Sequence, residues 1–436
     1  MVKKKKTEKK IKPRKKINQT NKVKSTKPKK SKVKTKKQKR KKALYEDYTD
    51  EPIIIKSRTP IEDKLEGKKI YDNLKKGKHQ NEPIDESIEP INPIKSFSPA
   101  INRQLVSLKS IAPENISGCE NLMQVKIGKK CVSATTKQAQ KKLLHNLRSS
   151  KHLDCSRFIA PKQFNSNCWF NTMFVTFFFS DKGRKFFRFL RQLMIIGEKA
   201  NGEKIPQELA ELFSIFNIII DMYYNQQNND NVKLIRNFNT NYFIENLHTI
   251  LIKKYIRVYK KNESGNPIEY YKNIIKYLNY NVVNIMNVEA ETTASNSYID
   301  EMIKKQLMYN NPINNDNPEI YPSIIEYPEI IIVEMLDDES KMINDRELKL
   351  ELIDSEGNRH NYLLDAVIIR DRDKQHFSSL LTCGGKEYSF DGASYSRLNH
   401  FGWKDYLNRR RYWGFEGHDL KWSFMSSYQM LFYYKI

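Results

Sequence analysis

The positive charge of this chain is segregated, and that limits which part of it can fold. Residues 1–42 hold 23 Lys or Arg against one acid, Glu8, so +22 of the formal net charge of +26 sits in the first tenth of 436 residues. Residues 1–43 have few large apolar side chains, among them Ile11, Ile17, Val23 and Val33. They cannot bury enough surface to offset their ordering entropy and are expected to form a disordered, Lys-rich arm. Such an arm binds polyanions by counterion release without reading bases, so nucleic acid or a nuclear import receptor is its expected partner.

Residues 44–115 carry mixed charge and recurrent Pro, as in Glu51-Pro52, Thr59-Pro60, Glu82-Pro83, Glu89-Pro90, Asn92-Pro93 and Ser98-Pro99. Each Pro biases its predecessor away from helix, and the stretch is expected to be a linker. Residues 116–157 form a short helical lead-in, with Leu143, Leu144 and Leu147 sharing a face of a helix over 136–149. No apolar core follows the basic N-terminus, and no apolar run reaches the length of a membrane span. A soluble, intracellular, non-secreted protein without a membrane partner is expected. The abundance of Lys, Asn, Ile and Tyr suggests an AT-rich source genome, a large DNA virus or a protist parasite. If the source is viral, host cytoplasm, nucleus and virion are all candidate compartments. Cys119, Cys131, Cys155, Cys168 and Cys383 are odd in number, widely spaced and free of any Cys-x-x-Cys pair, so neither a disulfide framework nor a zinc knuckle is expected.

Chemistry concentrates in Pro161-Lys162-Gln163-Phe164-Asn165-Ser166-Asn167-Cys168-Trp169-Phe170-Asn171-Thr172. Asn165, Ser166 and Asn167 are N-cap candidates, and the apolar spacing beyond them predicts helix to about Ile196. Cys168 then lies in the first helical turn, where unpaired N–H groups and partial positive charge favour a thiolate nucleophile. Gln163, five residues upstream, offers an amide to an oxyanion. From 205 to about 310 the pattern is mostly helical, with helices at 241–258 and 298–308. Beyond Pro322 it changes to strands at Glu329–Met335, Leu348–Ile353, Tyr362–Ile369, His376–Leu381, Glu387–Asp391 and Tyr428–Tyr434.

The hairpin between His376 and Asp391 turns at its glycines. With Cys383-Gly384 as the two-residue loop, 376 faces 391 directly at about 5 Å; with Gly384-Gly385, 391 faces 378 and lies diagonal to 376 at roughly 7–8 Å. Either register puts both side chains on one face. The carboxylate then fixes the imidazole tautomer, and the imidazole serves the thiol as general base.

Gln163–Thr172 resembles the cysteine box of the ubiquitin-specific proteases, Asn-x4-Cys-Tyr-x-Asn-Ser. Tyr362-Leu363-Leu364-Asp365-Ala366-Val367, Gln375-His376-Phe377, Phe390-Asp391 and Tyr428-Gln429-Met430-Leu431-Phe432-Tyr433 are similar to its histidine-box segments, in the same order, over 158–436. Pro328–Val333 is similar to the strand that enters the palm sheet. The resemblance implies a papain-like α+β fold with a helical thumb carrying Cys168, an antiparallel palm carrying His376 and Asp391, and a reduced finger region without zinc, within 225–320. It implies a deubiquitinase in which Cys168 is nucleophile, His376 general base and acid, Asp391 its orienting group and Gln163 an oxyanion donor, with no metal or cofactor and with ubiquitin or ubiquitin-like conjugates as partners. The sequence departs from the pattern at Gln163 (for Asn), Gln375 (for Gly before the base) and Gly392 (for an acid after Phe-Asp). Two other readings stand beside it: a cysteine protease acting on another Gly-ended or polyprotein substrate, and a nucleic-acid-binding structural protein on an inactive protease scaffold. His400, His418 and the Trp403–Trp413 stretch with Arg409-Arg410-Arg411 fall in an insertion before the last strand and are expected to decorate the surface.

Overall fold

A computed structural model describes residues 53–55, 114–116, 118–121, 123–149, 154–224, 235, 238–251, 271, 274–275, 277–278, 285–290, 299–305, 327–335, 346–354, 356–371, 376–393, 397–409, 411–416, 419–425 and 427–436. The basic arm, Gln375, Arg410 and His418 lie outside these residues.

The apolar run after Cys168 does not make one helix but three: α2 (Cys168–Phe179), α3 (Asp181–Phe186) and α4 (Arg188–Ile196), following α1 (Lys137–Arg148). The break is at Ser180, whose backbone is extended and whose hydroxyl caps α3 by accepting from the Gly183 N–H. Leaving the helix there turns the chain, so that α4 and α5 (Gln207–Tyr224) pack beside α2 rather than running on from it. Nearly every side chain of α2 is buried. Phe174 and Phe178 meet Phe216 of α5 edge-on, and Phe177 meets Phe432 on the facing side of the sheet at 5.8 Å. α6 (Asn241–Leu251) adds to the same helical layer.

The late strands form at the expected positions to within a few residues. β5 (Ile330–Met335), β7 (Arg359–Arg370), β8 (Phe377–Cys383), β9 (Lys386–Phe390), β10 (Asn399–His400) and β12 (Tyr428–Lys435) join β4 (Ile285–Ala290) in the order β10-β9-β8-β7-β12-β5-β4. The long β7 shares one edge between two partners: Ala366–Arg370 pair with β8, and Arg359–Leu363 pair with β6 (Lys349–Ile353). The fold is therefore mixed helix and sheet, as expected. The sheet is not wholly antiparallel, because β4 runs parallel to β5. A parallel neighbour needs a long return connection, and here it includes helical residues 299–305, with Ile299 and Ile303 against the sheet. The helical expectation over 205–310 missed β4 for that reason.

Two cores flank the sheet. Alternation along β12 sends Tyr428, Met430, Phe432 and Tyr434 into the helical layer and Leu431 and Tyr433 to the opposite face. That second face is covered by residues 401–424: Trp403, Trp413, Phe415, Trp422 and Phe424 are fully buried. Trp403, Leu407 and Trp413 of the expected surface insertion are thus core, because a sheet apolar on both faces must be covered on both, whereas Asp405, Arg409 and Tyr412 are exposed.

Before α1, β2 (Gln124–Ile127) and β3 (Lys130–Ser133) form a hairpin, so the lead-in is not helical throughout. Within the stretch expected as linker, β1 (Ile53–Ile55) pairs in parallel with β11 (Trp413–Phe415). The cysteine expectation is also corrected. Cys119 is bonded to Cys131 and Cys155 to Cys383, each with Cα atoms 5.9 Å apart, and Cys168 alone is free. The second pair spans 228 residues and is brought together only by tertiary packing, which spacing does not reveal.

Candidate active site

The hairpin of β8 and β9 turns at Gly384-Gly385, both with positive φ, since Cys383 pairs with Lys386. This is the second of the two expected registers. His376 stands just before β8 and Asp391 just after β9, and the diagonal relation brings His376 Nε2 to 2.6 Å from Asp391 Oδ1. Both side chains are fully buried. Asp391 Oδ1 also accepts from the Ala393 N–H at 3.0 Å. The bond through Nε2 leaves Nδ1, which has no hydrogen-bond partner among the described residues, as the nitrogen available to other chemistry.

Cys168 is the first residue of α2 and partly exposed. Its sulfur acts electrostatically on His376. Burial pulls the imidazolium down, but the Asp391 carboxylate and then the Cys168 sulfur outweigh it, and the pKa of His376 is pushed up to about 10. The ring therefore carries a proton at neutral pH.

The loop before Cys168 is fixed by its backbone and by a buried amide network. Asn165 has φ +55, the left-handed conformation that Asn tolerates better than most residues. Its carbonyl accepts from Gln163 Nε2 at 3.0 Å. One proton of that amide is thus committed inside the loop, and the buried Gln163 Oε1 has no partner among the described residues. Asn167 occupies the N-cap position without a side-chain cap bond. Its Oδ1 instead accepts from the Phe164 N–H at 3.0 Å and from Asn171 Nδ2 at 3.3 Å. Asn167 Nδ2 donates to Thr240 Oγ1, which donates in turn to Asn171 Oδ1 at 2.6 Å. Asn241 Nδ2 donates to the Phe164 carbonyl at 3.0 Å. Thr240 and Asn241, at the start of α6, thereby hold the cysteine loop from the side. Sequence reasoning missed them; an isolated Thr-Asn pair some seventy residues away carries no signal.

Further contacts join the cysteine side to the histidine side. The Gln163 N–H donates to the Gly392 carbonyl at 2.9 Å, and a Cβ on Gly392 would lie 3.2 Å from the Pro161 carbonyl oxygen and 3.3 Å from the Gln163 nitrogen. A side chain at 392 would therefore oblige one of these segments to shift by a few tenths of an ångström. Thr176 Oγ1 of α2 and Ser379 Oγ of β8 lie 2.9 Å apart. At the hairpin tip Asp181 accepts from the Gly384 and Gly385 N–H groups and pairs with Arg184, beside the Cys155–Cys383 disulfide. The β-bulge at Asp365 re-aims that carboxylate to accept from the Lys182 N–H at 2.7 Å. Burial raises its pKa to about 6.

No protein-family model and no curated protein matches the chain. Among solved structures it is similar to the Ubp8–Sgf11–Sgf73–Sus1 SAGA DUB module, at 8% identity and TM-score 0.37 over 71% of this chain and 76% of that one. It is also similar to that module bound to monoubiquitin (8% identity, TM-score 0.32, 66% and 71% of the two chains) and to a yeast SAGA DUB module with an Sgf73 mutant (8%, 0.32, 65% and 70%). At these TM-scores the likeness carries no argument about activity.

Proposed function

We propose that the chain is a thiol-dependent deubiquitinase that cleaves the bond after the C-terminal Gly of ubiquitin, on a papain-like scaffold with α2 and its neighbouring helices as thumb and the sheet as palm. The observation that carries this reading is the free Cys168 at a helix start beside an imidazole held through Nε2 by Asp391 at 2.6 Å. The choice of ubiquitin rests on the resemblance of Gln163–Thr172 and of the strand segments 362–367, 376–377, 390–391 and 428–433 to the boxes of the ubiquitin-specific proteases.

In this reading the Cys168 thiolate attacks the glycyl carbonyl carbon, with the His376 imidazolium beside it. The tetrahedral oxyanion is stabilised by the Cys168 N–H at the open first turn of α2 and by the second Nε2 proton of Gln163. Collapse breaks the C–N bond, and the proton on His376 goes to the departing amine. The neutral imidazole then takes a proton from water as it attacks the thioester, releasing the carboxylate and regenerating the thiolate. Asp391 remains ionised throughout and keeps Nδ1 toward the sulfur.

The test is hydrolysis of ubiquitin carrying a fluorogenic amine on its C-terminus. Wild type should turn it over, and Cys168→Ala and His376→Ala should not. Turnover that persists in Cys168→Ala would refute the assignment.

A further inference from the structure

Among the described residues before 114, only Ile53–Ile55 are placed, and they are docked as a strand more than a hundred residues ahead of Cys168. The Ile53 N–H donates to the Tyr412 carbonyl at 2.9 Å, and the Glu416 N–H donates to the Ile55 carbonyl at 3.0 Å, bracketing β11. Ile55 is buried in the core that contains Trp413, Phe415 and Trp422, whereas Ile54 is 49% exposed. The approach is specific to this stretch of β11: a Cβ on Gly414 would lie 2.8 Å from the Leu420 carbonyl oxygen, so the chain at 420–422 is pressed directly against the strand that β1 pairs with.

From β11 two routes lead to His376. Trp413 and Trp422 exchange backbone hydrogen bonds, each at 2.9 Å, and the Trp422 ring centroid lies 6.2 Å from that of the His376 imidazole. The adjoining Lys421 N–H donates to Asp371 Oδ2 at 3.2 Å, and the Asp371 N–H donates to the His376 carbonyl at 2.8 Å. Both the ring and the backbone of His376 are thus braced by residues 421–422, which β11 holds and β1 backs.

We propose that Ile53–Ile55 is a positioning strand of the active site: by completing the two-stranded unit with β11 it fixes Trp422 and Lys421, and through them the ring and backbone of His376. The inference rests on the reading of Cys168 and His376 as the reacting pair. Its consequence is that the functional unit begins before residue 53, so that a chain cut at 116 or 158 keeps every residue of the proposed triad and loses its alignment. A strand that served only to cover apolar surface would affect stability; a strand that sets the histidine also affects the ionisation of the cysteine.

The experiment uses the full-length chain and follows alkylation of Cys168 by iodoacetamide against pH, with kcat and KM for ubiquitin amide hydrolysis alongside. His376→Ala defines the profile of an uncoupled thiol. Ile55→Asp, which puts a charge in the second core, and Ile53→Pro, which removes the donor to Tyr412, are compared with Ile54→Asp at the exposed position. In the first two, reactivity at neutral pH should fall about tenfold to a hundredfold toward the His376→Ala profile, with kcat lowered and KM little changed. Ile54→Asp should match wild type. If either core variant lacks a cooperative unfolding transition, Ile55→Ala, which keeps the backbone pairing, is scored in the same way. Folded variants with wild-type pH profile and kcat would overturn the positioning role alone. A His376→Ala profile identical to wild type would overturn the catalytic reading and this inference with it.

Discussion

The Gln163 N–H donates to the Gly392 carbonyl at 2.9 Å, tying the loop that ends in Cys168 to the turn that follows Asp391. Cys168 and His376 lie on different layers of the fold, and this bond joins those layers close to both residues. Gly392→Ala places a methyl 3.2–3.3 Å from the Pro161 oxygen and the Gln163 nitrogen, so one segment must move by a few tenths of an ångström. Loss of about tenfold in kcat with a folded protein is expected, because alignment at that scale governs attack. Steady-state kinetics of the variant check it.

Asp391→Asn removes the carboxylate that, together with the Cys168 sulfur, offsets the effect of burial at His376. The protonated fraction of the ring at neutral pH then falls, and kcat should drop by about two to four orders of magnitude. The same bond has a signature in stability. The folded pKa of His376, about 10, lies above the unfolded value of about 6.5, so its stabilisation is complete below pH ~6.5 and is lost as pH rises through about 10. The stability gap between wild type and Asp391→Asn, read from urea unfolding, should therefore be largest near pH 6 and narrow toward pH 10.

Thr240→Val deprives Asn167 Nδ2 of an acceptor and Asn171 Oδ1 of a donor in a fully buried site. Unmet buried polar groups cost about 1–3 kcal/mol each, and chemical denaturation should register at least one such loss. Thr240→Ser keeps the hydroxyl and should recover most of it.

At Asn165 the left-handed backbone, not the side chain, sets the requirement. Asn165→Gly should be neutral or slightly stabilising, whereas Asn165→Val should cost about 1–2 kcal/mol and slow Cys168. Thermal unfolding of the two variants distinguishes these outcomes.

Cys383→Ser opens the bond that joins the hairpin tip to Cys155. A native disulfide typically contributes about 2–4 kcal/mol, and the variant should lose stability on that scale while Cys155 becomes a second free thiol beside Cys168. Peptide mapping without reductant checks the pairing, and unfolding checks the magnitude.

Much of this architecture is legible from local rules. Gly384-Gly385 can host a two-residue turn with positive φ, and the parity of that turn forces His376 and Asp391 onto one face whichever register is chosen. The late strands announce themselves by β-branched and aromatic runs. What is not legible depends on partners distant in sequence. Ser180 opens the polar stretch Ser180–Lys185, which a helix could equally carry on an exposed face; the chain breaks there because α3 gains a cap and Asp181 reaches Gly384. Trp403, Trp413 and Trp422 look like an insertion until the second face of the sheet has to be covered. Ile53–Ile55, three β-branched residues amid prolines, become a strand only because β11 offers an edge. Thr240 and the Cys155–Cys383 pair likewise acquire meaning only after packing.

The most direct measurement is reaction of the full-length chain with ubiquitin bearing a C-terminal electrophile, followed by mass mapping of the adduct. A single covalent adduct on Cys168, abolished in Cys168→Ala and strongly slowed in His376→Ala, is the predicted result. No adduct, in a folded chain whose Cys168 reacts with iodoacetamide in a His376-dependent way, would contradict ubiquitin as the substrate; an adduct on any other residue would contradict Cys168 as the nucleophile.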